Sequence, residues 1–437
     1  MARKDFNKDS GFIQILDRCI AECPGREAIV FGDWRITYES FARYINMSAH
    51  MLAAAGIGKG DCVGIISRNR PEFLILEFSL YKLGAVPVKI NWRLAPGEMI
   101  MQLEASHVKT AFIQVENPDW GAQLFSHYAG ALSFFTFEGS GERDSSFIKL
   151  ISAYPDSEDF EVRLRDDAPA CHMHTSGTTG HAKTVVYTHG GMLDKMSAVK
   201  DLYGYRPGDK LQFISQLFHS AAIGAWLCFC TCGTLVLMSS FSTEQYMQSL
   251  QREHINAISV VPTILKWILD ELDKKPYDLS SLHTIRYSTC PVSPALLERA
   301  MKRLDCEFYQ SYGMTEMGSM VSILFPADHL DRGLSHLNTV GRAIRHGDTH
   351  HRRGRKAMSA GDRRRDMYPR SGRHEGVLRP AGAYPRPYAG RLVLQRRHGL
   401  SRRARVPHPF RKEGRSYHLR RRKHLSVRDI KRAHADR

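Results

Sequence analysis

The chain has 437 residues, 43% of them hydrophobic and 10% aromatic. That is apolar material enough for about three domain-sized units and excludes a chain unfolded throughout. The formal net charge of +17 suggests a nucleic-acid or membrane-surface partner, but the charge is unevenly placed. Residues 341–437 hold 26 Arg and 4 Lys against 7 acidic residues, whereas the first 340 residues are net −6. The body is mildly acidic, and the basic excess belongs to the last 97 residues.

From the N-terminus, Met1 to Gly11 is polar and charged with no apolar stretch behind it, so no secretion signal is expected. Thr37 precedes a helical apolar pattern through Phe41, Tyr44, Ile45, Met51 and Leu52, and the Gly56-to-Asp61 segment breaks it. Cys62 to Ile66 reads as a short strand. Pro71 opens a helix whose apolar face runs through Phe73, Leu76, Leu80 and Leu83, Gly84 ends it, and Ala85 to Val88 begins the next strand. Residues 26–120 are therefore expected to form an α/β unit with a parallel sheet. A second unit is expected over about 195–310, with helices at 244–254, 262–274 and 294–304 and strands at 211–215, 234–238, 256–260 and 284–288. From Leu217 to Met238 there is no Asp, Glu, Lys or Arg, long enough to span a bilayer. Because His219 and Ser220 open this stretch and Gly233 divides it, a core helix followed by a β-rich strand is the favoured reading, and no transmembrane segment is expected. Cys228, Cys230 and Cys232 lack the usual C-x₂-C metal spacing and read as core thiols. Nine scattered Cys fit a reduced, cytoplasmic setting.

The sharpest chemical signal is Thr175-Ser176-Gly177-Thr178-Thr179-Gly180-His181-Ala182-Lys183. Two glycines let backbone approach anionic oxygens, hydroxyls donate hydrogen bonds, and the lysine adds charge. A Walker loop is excluded, because G-x-x-x-x-G-K-S/T is absent and Thr184-Val185-Val186-Tyr187 reads as a strand rather than a helix. By itself the segment reads better as an ordinary Ser/Thr/Gly-rich turn.

In context it resembles the T-S-G-T-T-G-x-P-K-G phosphate loop of the adenylate-forming superfamily of acyl- and aryl-CoA synthetases, luciferases and amino-acid adenylation domains. Further motifs follow that family's order: Lys82-x-Gly84-Ala85-Val86-x-Val88-x-x-Asn91 against K-x-G-A-x-x-x-P-x-N, Thr188-His189 against T/S-H, and Leu217-Phe218-His219 with Gly224 against L-F-H-x-x-G. Val261-Pro262-Thr263, Tyr312-Gly313-Met314-Thr315-Glu316 and Val340-Gly341-Arg342 match V-P-T, Y-G-x-T-E and V-G-R. The resemblance covers about residues 12–344 and implies an α/β fold of two mostly parallel-sheet subdomains.

It also implies roles. Thr175, Ser176, Gly177, Thr178, Thr179, Gly180 and Lys183 would hold the β- and γ-phosphates of ATP. Thr315 would meet the α-phosphate, Glu316 would ligate Mg²⁺, and Tyr312, with Gly313, would flank the adenine. Ser288-Thr289-Cys290-Pro291 stands where the family has G-G-A-P, against adenine and the acyl pocket. His219 would line the pocket entrance; taken alone it reads better as a core histidine. Ala182 and Thr184 replace the family's Pro and Gly, and Ser288-Thr289 adds bulk to the G-G position. The implied chemistry is acyl-AMP formation from a carboxylic acid and ATP, then acyl transfer to coenzyme A. Amino-acid activators place an Asp beside the pocket aromatic. Phe218 is followed here by His219, which points to a plain fatty or aromatic acid.

From about Arg345 apolar periodicity stops and Arg runs recur, which reads literally as a disordered basic arm. A nucleic-acid role would need interleaved aromatics or a folded module, so no specific nucleic-acid partner is expected. Arg codons of the CGN type read one base later become Gly, Glu, Asp, Ala or Val codons. Arg391 to Gly399 can be encoded so that dropping the first base gives GWYYSGDMG, which resembles the family's ribose-binding Y-x-x-G-D. Arg411 to Arg428 likewise permits the hinge-like GRKDVVIISGGENIYPLE, and residues 346–385 permit a β-subdomain-like string. A frameshift near Ile344–Arg345 is therefore expected, leaving 345–437 non-native. The ribose Asp would fall across Arg397 and His398, and the family's lid lysine beyond residue 437. The chain is then expected to be an impaired or inactive acyl- or aryl-CoA ligase, with a non-catalytic nucleotide- or acyl-binding remnant, or a pseudogene product without function, as the alternative.

Overall fold

The computed structural model describes residues 11–114, 116–128, 132–137, 145–175, 183–330 and 339–344, with the backbone of Val377 and Leu378. The expectation of an extended tail over 345–437 lies otherwise outside the described residues.

Two mixed, mostly parallel sheets organise the chain. The larger runs, edge to edge, through Arg342–Ala343, Ser319–Leu324, Glu307–Met314, Thr284–Ser288, Ala257–Val260, Lys210–Phe213, Thr234–Leu237, Glu27–Phe31 and Trp34–Thr37. The smaller runs through Val377–Leu378, Lys183–Thr188, Pro169–Thr175, Val86–Ile90, Cys62–Ile66, Thr110–Ile113 and Ser133–Thr136. The α/β expectation holds, and the strands and helices read from 211 to 304 recur within two residues at nearly every boundary. One assignment is corrected. The first unit is not continuous, because Glu27–Phe31 pairs in parallel with Thr234–Leu237 of the larger sheet. A five-residue apolar strand carries no information about which sheet it joins; the partner is set by tertiary packing.

Local signals act as expected at several ends. The Thr37 side chain accepts from Ser40 N and caps the helix Tyr38–Ala54. Gly84 takes φ 68° and closes the helix Pro71–Leu83 in the left-handed region. That helix is buried nearly all round, packed within a core that both sheets share. Its two buried carboxylates have cations: Glu72 pairs with Arg70, and Glu77 with Lys89. Lys89 occupies the position where the K-x-G-A-x-x-x-P-x-N pattern has proline. The apolar stretch from Leu217 resolves into the helix Ile223–Cys230 and the buried strand Thr234–Leu237, and among the described residues no helix is long and apolar enough to cross a membrane. Cys228 and Cys232 are core residues beside it.

Candidate active site

The strands Pro169–Thr175 and Lys183–Thr188 form an antiparallel hairpin in which Thr175 lies opposite Lys183. The two ends of the Ser/Thr/Gly segment are thereby brought together, and the chain leaves it as a strand, as its β-branched residues require. Ser176, Gly177, Thr178, Thr179 and Gly180 lie outside the described residues. Lys183 is exposed at the mouth of the hairpin. At the far end Thr188 caps the helix His189–Val199 by accepting from Gly191 N. His189 Nδ1 accepts from Phe12 N at 3.0 Å, so this motif histidine anchors the N-terminal segment rather than facing the site. Burial lowers its pKa to about 4.

The opposite wall is the strand Glu307–Met314 and the short turn Thr315–Met317. Tyr187 Oη, on the hairpin strand, donates to Thr315 O at 2.8 Å, and Thr315 Oγ1 donates to Ser220 Oγ at 3.4 Å. The hairpin, the Thr315–Glu316 turn and the segment after His219 thus meet at one place. Glu316 is half-buried and has no cationic partner among the described residues. A carboxylate in that state fits a hard cation such as Mg²⁺. Tyr312 is 45% exposed, leaving its ring face available. A Cβ on Gly313 would come within 1.6 Å of Ser319 O, so the motif glycine is required by the close approach of two backbones.

Ser288 ends the neighbouring strand and lies opposite Ser311, which puts the Ser288-Thr289-Cys290 segment beside Tyr312. Thr289 adopts φ 81°, a left-handed conformation a β-branched residue rarely takes. That is a conformation glycine takes readily, at the position where the resembling family has the second glycine of G-G. Thr289 and Cys290 are exposed, so their added bulk borders the open cleft.

His219 is placed by the smaller sheet's loops. Asn69 Oδ1 accepts from Leu217 N, Asn69 Nδ2 donates to Ser215 O, and Trp92 Nε1 donates to Gln216 Oε1. His219 then accepts from Ala221 N at the head of a short turn, with its ring at the surface of the cleft. Desolvation by the surrounding protein lowers its pKa, which favours the uncharged ring and suits it to lining a pocket.

The AMP-binding enzyme family matches residues 16–350. The chain belongs to that family. It is 31% identical to the fatty acid–[acyl-carrier-protein] ligase ScoC of Streptomyces coeruleorubidus over 71% of this chain and 59% of that one. It is 30% identical to the 2-succinylbenzoate–CoA ligase of Bacillus pumilus over 74% of this chain and 61% of that one. The match thus spans about three fifths of these curated relatives. Among solved structures, the N-terminal domain of FACL13 from Mycobacterium tuberculosis is similar with a TM-score of 0.69 and 25% identity, over 76% of this chain and 82% of that one. The o-succinylbenzoate CoA synthetase of Bacillus subtilis in complex with ATP and magnesium ion gives 0.65 and 25%, over 76% and 65%.

Sequence reasoning missed four residues beside this candidate site. Tyr187, Ser220, Trp226 and Lys195 line a narrow cleft next to Thr315, together with Gly318 and Ser319. Tyr187 and Trp226 look like ordinary core aromatics in sequence. Lys195 carries a detectable signal, a lone cation among Met192, Leu193, Met196 and Val199 on a helix whose face is otherwise buried.

Proposed function

We propose that this AMP-binding protein activates a carboxylic acid with ATP and passes the acyl group to coenzyme A. The observation that carries the reading is the junction at Thr315, where Tyr187 ties the Thr175–Lys183 hairpin to the turn that bears Glu316. In the first step a carboxylate oxygen attacks the α-phosphorus of ATP, giving acyl-AMP and pyrophosphate. Alignment and neutralisation of phosphate oxygens supply most of the acceleration. Lys183 and the hairpin loop hold the outer phosphates, Thr315 meets the α-phosphate, and Tyr312 with Ser288 to Cys290 flanks the adenine. Mg²⁺ would add positive charge on the phosphates, and Glu316 is the residue that would hold it. His219, neutral, lines the entrance for a fatty or aromatic acid. The relatives' names support an acid–thiol ligase, one acting on a carrier-protein thiol and one on CoA.

We further propose that residues 345–437 are read out of register, so that thioester formation by this polypeptide is impaired. A remnant that binds nucleotide without turnover is the second reading, favoured by the Arg-rich tail. Acid-dependent ATP–pyrophosphate exchange separates the two: exchange above the acid-free background supports the enzyme, and its absence with ATP still bound supports the remnant. Lys183→Ala is expected to weaken ATP binding about tenfold or more, the loss of a charge-assisted phosphate contact. Unchanged affinity on calorimetric titration would remove Lys183 from the site.

A further inference from the structure

Three cysteines far apart in sequence meet at the C-terminal end of the helix Ile223–Cys230. Cys19, on the helix Asp17–Glu22, shares its S–H between Phe229 O at 2.9 Å and Cys232 Sγ at 3.0 Å. Cys23 follows one helical turn later, half-buried, and its thiol also faces Cys232. Cys232 stands there against its own backbone preference. It adopts φ 51°, its N–H donates to Phe229 O, and the N–H of Gly233 donates to Cys228 O. It thus holds the position just past a helix end that glycine commonly fills. A side chain in that region is strained and persists only where its surroundings fix it, a pattern concentrated at functional sites. Arg26 Nη1 donates to Cys232 O at 3.0 Å and steadies the turn. The hydrogen bond from Cys19, then that from Cys23 and the charge of Arg18, lowers the Cys232 pKa against the opposing effect of burial. The same contact, with burial, raises that of Cys19. A thiolate touching a protonated thiol is the arrangement that thiol oxidation requires.

We propose that Cys232 and Cys19 are a modification site for peroxide, oxidised reversibly to a disulfide. The pair takes no part in acid activation. The Cys232 thiolate attacks one oxygen of hydrogen peroxide: the S–O bond forms, the O–O bond breaks and hydroxide leaves, giving the sulfenic acid. The Cys19 sulfur then attacks the Cys232 sulfur: the S–S bond forms, the S–O bond breaks, and the departing hydroxide takes the Cys19 proton as water. Summed from two thiols, the pair loses two electrons and one peroxide becomes two waters. The sulfurs need close only from 3.0 Å to about 2.0 Å. Because Cys19 is already in contact, it captures the sulfenic acid before a second peroxide carries it to the sulfinic state. The bond fastens the N-terminal helix to the end of the helix Ile223–Cys230, from which Ile223 and Trp226 line the cleft. A dithiol reductant reverses it by exchange.

The test treats the full reduced chain with equimolar hydrogen peroxide, alkylates the remaining thiols in denaturant and maps links by fragmentation mass spectrometry. The chain is expected to lose two of its nine free thiols, recovered as a Cys19–Cys232 link, ahead of any oxidation at the exposed Cys290, and to regain both with dithiothreitol. Cys232→Gly should abolish the link in a folded chain, since glycine suits the left-handed turn, whereas Cys23→Ser should leave the link in place. Retention of all nine thiols overturns the assignment. So does a link from Cys232 to Cys23, sulfinic acid at Cys232 without a link, or oxidation at Cys290 first. These wild-type readings decide even where a variant fails to fold. None of them bears on acid activation, which pyrophosphate exchange tests separately.

Discussion

Thr289 and Gly313 pose opposite backbone problems. Thr289 holds a left-handed backbone at φ 81°, which costs an L-residue about 1–2 kcal/mol. Thr289→Gly removes that strain but adds about 0.5–1 kcal/mol of unfolded-chain freedom. We expect a net stabilisation of up to about 1 kcal/mol, seen as a higher midpoint in urea with an unchanged slope. Gly313 admits no Cβ, since the carbonyl of Ser319 stands 1.6 Å from where it would be. Gly313→Ala should therefore destabilise by about 3 kcal/mol or more and displace the Thr315–Glu316 turn. If Gly313→Ala melts like the wild type, the two strands are not in the close approach described. The candidate site residues are proposed from motifs alone, because phosphate and metal contacts would demand particular residue types. The roles of Thr188 and His189 were not legible in the sequence: they cap a helix and anchor Phe12, and a motif does not reveal whether it serves the ligand or the scaffold.

Among the elements, the helix Pro71–Leu83 and the strand Val86–Ile90 are joined by the Glu77–Lys89 pair, both members fully buried. Tyr81 Oη also donates to Glu77 Oε1 at 2.6 Å, and the Lys89 ammonium lies 4.6 Å from the Trp226 ring. Removing one partner strands the other charge, so Glu77→Leu or Lys89→Met alone should cost about 3–5 kcal/mol. The double replacement should recover most of that loss, because well-packed apolar side chains satisfy the same volume. Additive losses in a double-mutant cycle by chemical denaturation would show that the two charges act separately. The hairpin and its helix carry a pH dependence as well. Burial lowers His172, His174 and His189 from 6.5 to about 4. The unfolded chain takes up their protons below about 6.5 while the folded one resists until about 4. Their contribution is thus complete above pH 6.5 and is lost as pH falls toward 4. His189→Asn, whose carbonyl can still accept from Phe12 N, should flatten the fall of stability between those values. An unchanged slope would mean that His189 titrates normally in the fold.

For the molecule as a whole, charge separates the described body from the tail. The first 340 residues are net −6, and 26 Arg crowd the last 97. If that tail is out of register, deleting or adding one base near codon 345 will open a frame carrying a Y-x-x-G-D motif and a hinge sequence. The frame-restored protein should then exceed the present chain in CoA-thioester formation by about 10²–10³, the usual cost of one lost charge-stabilising group. Comparable turnover by both, or an early stop in the shifted frame, defeats the frameshift account. Changes to tail arginines should alter nucleotide affinity only through a weak attraction that salt removes.

The sequence by itself determined the α/β class, most element boundaries from 211 to 304, and the family. Those follow from local causes: apolar periodicity, proline and glycine punctuation, and residue types that phosphate chemistry requires. Tertiary structure alone decided that Glu27–Phe31 joins the larger sheet, and that Tyr187 closes onto Thr315. It also decided that Lys195 and Arg286 converge on Met320. Each of these joins residues from 34 to 206 positions apart. A strand's partner or a hydrogen bond between distant segments is set by what packs against it, and no window of neighbouring residues contains that.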